Sequence, residues 1–184
     1  ARRDANVEKI LAAIPAGANR FMQIYYLNKW LAENNQYNTT VKKDGDGPWY
    51  AYECISALEG LTGVDGPVGS GYASALKALC DKLGIPCITV TGWVSENTKH
   101  RWNYIQMEDG KWYAVDVTNN DRNDNGANLT KWLLVGSKTV INGKEFFENH
   151  PAHNRSYYGG GTDFTNGPVL SDEAYPRSFT GPVG

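Results

Sequence analysis

Three short stretches in the middle of the chain carry side chains that could do chemistry together. His100 begins the run His-Arg-Trp-Asn-Tyr, Asp116 lies in the run Trp-Tyr-Ala-Val-Asp-Val-Thr, and Val-Gly-Ser-Gly-Tyr-Ala occupies residues 68–73. An imidazole that a carboxylate holds in place can act as a general base, and it can activate a nucleophile at the start of a helix. These residue types indicate acyl transfer, provided that the chain brings the three stretches together.

The spacing of His100 and Asp116 predicts the loop that joins their strands. A two-residue turn would send the two side chains to opposite faces of the hairpin. A three-residue loop at residues 108–110 instead places Asp116 opposite Trp102, on the same face as His100. Gly110 would then take the left-handed conformation that a bulged loop requires. We therefore predict the three-residue loop, with His100 and Asp116 as diagonal neighbours within hydrogen-bonding reach.

Hydrophobic periodicity predicts helices in the first part of the chain and strands after it. Helices are predicted over residues 7–14, 20–34, 50–59 and 70–83, with Ser70 as the N-cap of the last. Strands are predicted over residues 87–91, 100–107, 111–117 and 132–135. Residues 118–131 are expected to form a polar loop, and the tail from residue 136 is expected to form long loops packed by aromatic side chains.

This order of elements predicts an α+β fold, with N-terminal helices packed on an antiparallel β-sheet. We expect one domain over residues 1–184, with a helical part at about 4–83, a sheet part at about 87–135 and a loop-rich tail at 136–184. The chain is long enough to bury a core without a metal or a disulfide.

Composition excludes some classes of partner and leaves the cysteines open. A net charge of −2 argues against binding to nucleic acid, and no apolar run is long enough to span a membrane. Cys80 and Cys87 could pair, although the odd count of cysteines favours three small buried hydrophobic residues, Cys54 among them. No cofactor is indicated.

The three stretches together resemble the transglutaminase-like superfamily. Members begin a helix with a Val-Cys-x-Gly-Tyr-Ala type motif, continue with Leu-Gly-Ile-Pro, and then form strands with His-x-Trp-Asn and Asp-x-Thr. Here Leu-Gly-Ile-Pro occupies residues 83–86, the resemblance covers about residues 20–135, and the tail agrees at residues 133–136 and 170–175. The resemblance implies a papain-like fold and a Cys–His–Asp triad, in which a thioester is resolved by an amine or by water.

One position departs from that pattern. Matching Gly71, Tyr72 and Ala73 to the motif puts the nucleophile position at Gly69, which has no side chain. Ser70 points in another direction, rotated by roughly 100° around the helix, and its hydroxyl would need stronger activation than a thiol. The departure implies a domain that has lost its nucleophile, and natural loss is favoured over an engineered knockout, which stays open.

The expected function is therefore binding by a catalytically inactive domain of a secreted or cell-surface bacterial protein with several domains. The ligand would be a peptide, a protein, or a cell-wall or glycan component, held in the remnant cleft with Tyr72, Trp102, Trp49 and Tyr50 on its walls. One alternative is an active hydrolase or protein cross-linker that uses Ser70 with His100 and Asp116. Another is a structural spacer whose cleft is filled by its own tail.

Two weaker patterns could bind metal ions. Asp121, Asn123 and Asn125 match the first half of a calcium loop, but Trp132 stands where the loop needs its last acidic ligand, so a solvated turn is favoured. His150 and His153 stand near a proline with no acidic partner placed by spacing, and they are interpreted as surface histidines.

Overall fold

A computed structural model describes residues 2–41, 47–95, 98–122, 129–154 and 167–176. Its α-helices are α1 (Arg2–Ala12), α2 (Arg20–Asn34), α3 (Cys54–Leu58), α4 (Gly69–Leu83), α5 (Val117–Arg122) and α6 (Phe146–Asn149). Its strands are β1 (Cys87–Ser95), β2 (Thr98–Gln106), β3 (Trp112–Val115), β4 (Val140–Ile141), β5 (Lys144–Glu145) and β6 (Ala152–Asn154). A 3-10 turn, Trp49–Tyr52, precedes α3.

The main sheet has the strand order β3-β2-β1-β6, and each neighbouring pair is antiparallel. Because side chains alternate along a strand, β1, β2 and β3 each contribute to two cores. One core joins the sheet to α1, α2 and α4. The other joins Ile88, Val90, Trp102 and Tyr104 to residues that follow β3, including Trp132 and Phe146. The predicted α+β class, with helices packed on an antiparallel sheet, is confirmed.

The helix that carries residue 69 begins one residue earlier than expected. Val68 is extended, and its carbonyl accepts the amide of Gly71 at 2.8 Å, which makes Val68 the N-cap and Gly69 the first helical residue. The assignment of Ser70 as N-cap is therefore wrong. Ser70 lies inside the first turn of α4, and no side chain caps this end of the helix.

Two other boundaries differ because single residues leave the regular conformation. The helix expected over residues 50–59 is interrupted at Glu53, whose backbone is extended, so that a 3-10 turn and α3 replace it. The strand expected over residues 132–135 does not form. Leu134 has a positive φ of 52°, and only Val135 pairs with β3, through an isolated bridge to Ala114.

The polar stretch after β3 is partly helical, contrary to the expected loop at 118–131. The helix α5 is joined to α2 by two buried amides, because Nδ2 of Asn120 donates to Oδ1 of Asn28 at 2.8 Å. The same Asn120 accepts the backbone amide of Trp132 at 2.9 Å, and Asn28 donates to the carbonyl of Leu129 at 2.8 Å. These bonds fix the path of the chain as it leaves β3.

The tail contains short regular elements where long loops were expected. Strands β4 and β5 form a hairpin around Asn142 and Gly143, which both have positive φ, as a two-residue turn of this kind requires. The helix α6 follows, and β6 then pairs with β1 through Thr91–Asn154 and Gly92–Ala152. The tail thereby lies along the same sheet that carries His100.

The cysteines do not form a disulfide. Cys54, Cys80 and Cys87 are free thiols, and the last two are buried. A hydrogen bond with Cys87, together with burial, raises the pKa of the Cys80 thiol well above its usual value. No helix among the described residues is long and apolar enough to cross a membrane.

Candidate functional site

The hairpin of β2 and β3 brings His100 and Asp116 together as its loop predicts. Met107 and Lys111 close a three-residue loop, in which Gly110 has a φ of 78°. Asn103 pairs with Val115, so Asp116 comes level with Trp102, the next residue along β2. Nε2 of His100 lies 2.9 Å from Oδ2 of Asp116. The prediction of a three-residue loop and of the hydrogen bond is confirmed.

The carboxylate of Asp116 is completely buried and ionised. Burial by itself would raise the pKa of this carboxyl, but the charge and the hydrogen bonds of His100 and His150 outweigh burial and hold the pKa well below its usual range. Its Oδ1 atom accepts the backbone amide of Asn119 at 3.1 Å, at the start of α5. Hydrogen bonds to both of its oxygens therefore hold the carboxylate in place.

A second histidine shares the carboxylate with His100. Nε2 of His150 lies 2.6 Å from Oδ2 of Asp116, and the side chain is only 2% exposed. Its ring stacks on Phe146 with centroids 4.6 Å apart and meets the edge of Trp102 at 4.8 Å. The interpretation of His150 as a surface histidine is wrong, because α6 and the β4–β5 hairpin turn it towards the sheet. The side chain of His153 lies outside the described residues.

Sequence reasoning missed His150 because its partner is 34 residues away. The Asn-Gly pair at residues 142–143 is a strong local signal for a hairpin. It would have predicted β4 and β5 and a compact tail, although it would not have identified the residue that the tail brings to Asp116.

The imidazole of His100 also faces Gly69, the residue that the motif comparison predicts at the nucleophile position. A Cβ atom built on Gly69 would lie 2.6 Å from Nδ1 of His100 and 2.7 Å from its Cε1. The ring thus presents Nδ1 to residue 69 and Nε2 to Asp116, so that each nitrogen faces one of the two groups, as the imidazole of a nucleophile–His–Asp triad does. No side chain larger than hydrogen fits at residue 69 unless the ring moves.

Among the residues that the structure describes, no other nucleophile is hydrogen-bonded to His100. Neither Ser70 nor any of the three thiols shares a hydrogen bond with it. Burial raises the pKa of the Cys54 thiol, which disfavours its reactive thiolate form. In the part of the chain that the structure describes, the arrangement therefore contains an oriented imidazole and its carboxylate partner, with no nucleophilic atom bonded to the imidazole.

Of the four aromatic residues expected on the cleft walls, two are buried, one is half-buried and one is exposed. Trp102 and Tyr72 are each 1% exposed, and the hydroxyl of Tyr72 donates to Asp121. Trp49, by contrast, is 75% exposed. Tyr50 is half-buried, and its hydroxyl donates to Asp65 at 3.0 Å. Trp49 is thus the most exposed of the four side chains.

The 3-10 turn that carries Trp49 and Tyr50 lies close to the start of α4. The amide of Val68 donates to the carbonyl of Ala51 at 3.0 Å, which holds the 3-10 turn against the first turn of the helix. The rings of Trp49 and Tyr50 meet edge to face with centroids 6.0 Å apart. An aromatic surface therefore stands next to the helix end that carries residue 69.

Among the described residues, three side chains that could bind a metal ion lie close together. His100, Asp116 and His150 each offer a ligand atom, and these atoms lie within 4.8 Å of one another. In the calcium pattern, Asp121 belongs to α5, while Asn123 and Asn125 lie outside the described residues.

Comparison with known families gives a match to the transglutaminase-like superfamily over residues 10–117. Curated protein sequences give no significant match. Among solved structures, the fold is similar to the "Crystal structure of a TGase", with a TM-score of 0.55 and 13% identity over 66% of this chain and 33% of that one. It is also similar to a "Putative Cysteine Protease from Cytophaga hutchinsonii", with a TM-score of 0.47 and 20% identity over 63% of this chain and 37% of that one. The chain spans about a third of either structure, 33% of the first and 37% of the second.

Proposed function

Because this chain belongs to the transglutaminase-like superfamily, we propose that it is a non-catalytic member that binds a ligand beside the start of α4. The observation that carries the proposal is the contact between Gly69 and His100, in which the imidazole ring occupies the space that a side chain at residue 69 would need. An acyl-transfer mechanism of the family's kind requires an attacking atom next to that ring. Glycine supplies none.

The exposed surface beside the helix start supports the choice of a binding role. Tryptophan rings are enriched at sites of recognition, and they stack on sugar rings or on peptide side chains with little loss of conformational entropy. Trp49 is 75% exposed, and its 3-10 turn is fixed to α4 through Val68. The ligand class that we propose is a peptide, or a cell-wall or glycan fragment, in contact with Trp49 and Tyr50.

The cellular setting is part of the proposal. We place the domain in a larger bacterial protein that is secreted or displayed at the cell surface, where such ligands occur. Fractionation of the source cells, followed by detection of the parent protein with an antibody, tests this setting. Recovery of the protein in the cytosolic fraction alone would reject it.

The decisive experiment compares catalysis by the wild-type protein with catalysis by Gly69→Cys. Wild type is expected to show no release or transfer of an acyl group from an amide donor, with either water or an amine as acceptor. Wild-type turnover that Ser70→Ala or His100→Ala abolishes would establish the opposite function, an active hydrolase or cross-linker. Thiol reactivity gained by Gly69→Cys and lost in the double variant with His100→Ala would show that only the nucleophile is missing.

A binding screen against peptides, peptidoglycan fragments and glycans tests the positive half of the proposal. Trp49→Ala is expected to weaken binding of the captured ligand by at least about tenfold, as removal of an interface tryptophan does. Phe147→Ala is the matched control, because Phe147 is another exposed aromatic residue (51%) placed on α6. Equal weakening by both variants would contradict a site at Trp49.

A further inference from the structure

We propose that His100, Asp116 and His150 form a binding site for a divalent transition-metal ion of the zinc class. The sequence contains three histidines, and two of them direct Nε2 at the same carboxylate oxygen. The three side chains come from β2, from the residue after β3 and from the residue after α6. Their ligand atoms lie within 4.8 Å of one another.

The donor set matches what zinc binds in proteins. Neutral imidazole nitrogen and ionised carboxylate oxygen are both common zinc ligands. Each imidazole would bind the ion through Nε2 in its neutral form, with the remaining ring proton on Nδ1, and any second proton on a ring would be released to solvent.

Metal binding would require small changes in the distances between the three ligand atoms. The nitrogen–oxygen separations are 2.9 Å for His100 and 2.6 Å for His150. In a tetrahedral site with bonds of about 2.1 Å, neighbouring ligand atoms stand about 3.4 Å apart. Each nitrogen–oxygen separation would therefore lengthen by roughly 0.5–0.8 Å, which follows from the same bond lengths, and the two nitrogens, which lie within 4.8 Å of one another, would also have to stand about 3.4 Å apart.

The surroundings support an ion at this point. The backbone amide of Asn119 holds Oδ1 of Asp116, which leaves Oδ2 directed at both rings, as an outer partner does in zinc sites. The rings of Phe146 and Trp132 lie within 5.0 Å of the ring of His150 and keep water from that side. His100, at 9% exposure, is the least buried of the three ligands, so an ion would enter beside it.

In a domain without a nucleophile at residue 69, His100 has no catalytic role that metal binding would block. In a catalytic triad the imidazole must be free to take up and return a proton. With glycine at residue 69, that requirement falls away. The metal site nevertheless stands on its own geometry and does not depend on the ligand that the domain binds.

The test begins with protein stripped of metal by a chelator and titrated with Co²⁺ and Zn²⁺. We expect one ion per chain, the visible absorption bands of low-symmetry cobalt, and a rise in the melting temperature. His150→Gln should weaken binding at least tenfold. His153→Gln, the matched control, removes the remaining histidine and should leave the affinity unchanged. Weakening by His153→Gln instead of His150→Gln would overturn the proposal.

A second measurement needs no variant and holds even if His150→Gln does not fold. Imidazole nitrogen NMR spectra of the wild-type protein are recorded before and after addition of Zn²⁺. Nε2 of both His100 and His150 should change from protonated to metal-bound, with the proton on Nδ1. If both rings keep their proton on Nε2 at saturating Zn²⁺, the three residues form a hydrogen-bonded cluster and no metal site.

Discussion

His100 packs so closely on Gly69 that its Nδ1 atom lies 2.6 Å from the place where a Cβ would stand. The ring is not free to turn away, because Asp116 binds its other nitrogen and Trp102 stacks on it with centroids 6.0 Å apart. Glycine at this position therefore leaves free the space that the histidine ring occupies.

The contact between Gly69 and His100 predicts whether a substitution at residue 69 stabilises or destabilises the protein. Alanine normally stabilises a helix by about 0.5–1 kcal/mol relative to glycine. At residue 69 the added methyl must displace a fixed ring, so Gly69→Ala is expected to lower the free energy of unfolding by about 1–3 kcal/mol. Urea denaturation measures it, with Ser70→Ala as the control in the same turn. A stabilised Gly69→Ala protein would contradict the contact.

A double-mutant cycle shows whether the cost arises from the ring itself. In a His100→Ala background the methyl group at residue 69 meets no imidazole, so Gly69→Ala should regain the stabilising sign. An unchanged cost in that background would place the strain elsewhere in the first turn of α4.

The buried amide pair offers a second prediction. Asn120→Ala leaves the amide of Trp132 and Oδ1 of Asn28 without their partners, which should cost about 1–3 kcal/mol of unfolding free energy. Asn34→Ala, which removes an exposed bond to Trp30, should change stability by no more than about 0.5 kcal/mol. Similar losses in the two variants, measured by thermal denaturation, would refute the role of the buried pair.

Neighbouring phenylalanines in α6 make a third prediction about the tail. Phe146 is 1% exposed and stacks on His150, whereas Phe147 is 51% exposed. Phe146→Ala should lower the free energy of unfolding by about 3–5 kcal/mol, and Phe147→Ala should leave it almost unchanged. Chemical denaturation of the two variants measures the difference. Equal effects would mean that α6 does not dock on the sheet.

The fourth prediction concerns alkaline pH. Burial, and then a hydrogen bond to Asp109, raise the pKa of Tyr113 from 10.0 to about 12. The folded protein therefore keeps this phenol protonated when the unfolded chain loses the proton. That contribution to stability is complete below pH 10 and declines as the pH rises towards about 12.

The measurement is urea denaturation at a series of alkaline pH values. Tyr113→Phe should show a smaller loss of stability between pH 10 and about 12 than wild type. Phenolate absorbance should show a tyrosine that ionises late in wild type and is missing in Tyr113→Phe. Parallel pH profiles for the two proteins would exclude Tyr113 as the cause.

The sequence predicted the parts of the site that depend on local geometry. The loop at residues 108–110 decides the register of β2 and β3, and the register decides that His100 and Asp116 share a face. The side chain of His150 reaches the same carboxylate only through packing of the distant tail, which no periodicity encodes. Residue type also does not separate buried aromatics such as Trp102 from exposed ones such as Trp49.

The pairing of β6 with β1 bears on how far this domain can be shortened. The region that matches the family ends at residue 117, before Phe146 and β6 have been added. A protein cut there would leave the backbone groups of β1 that face β6, at Thr91 and Gly92, without partners. Open strand edges recruit strands from other molecules, so such a fragment would aggregate or exchange strands between copies.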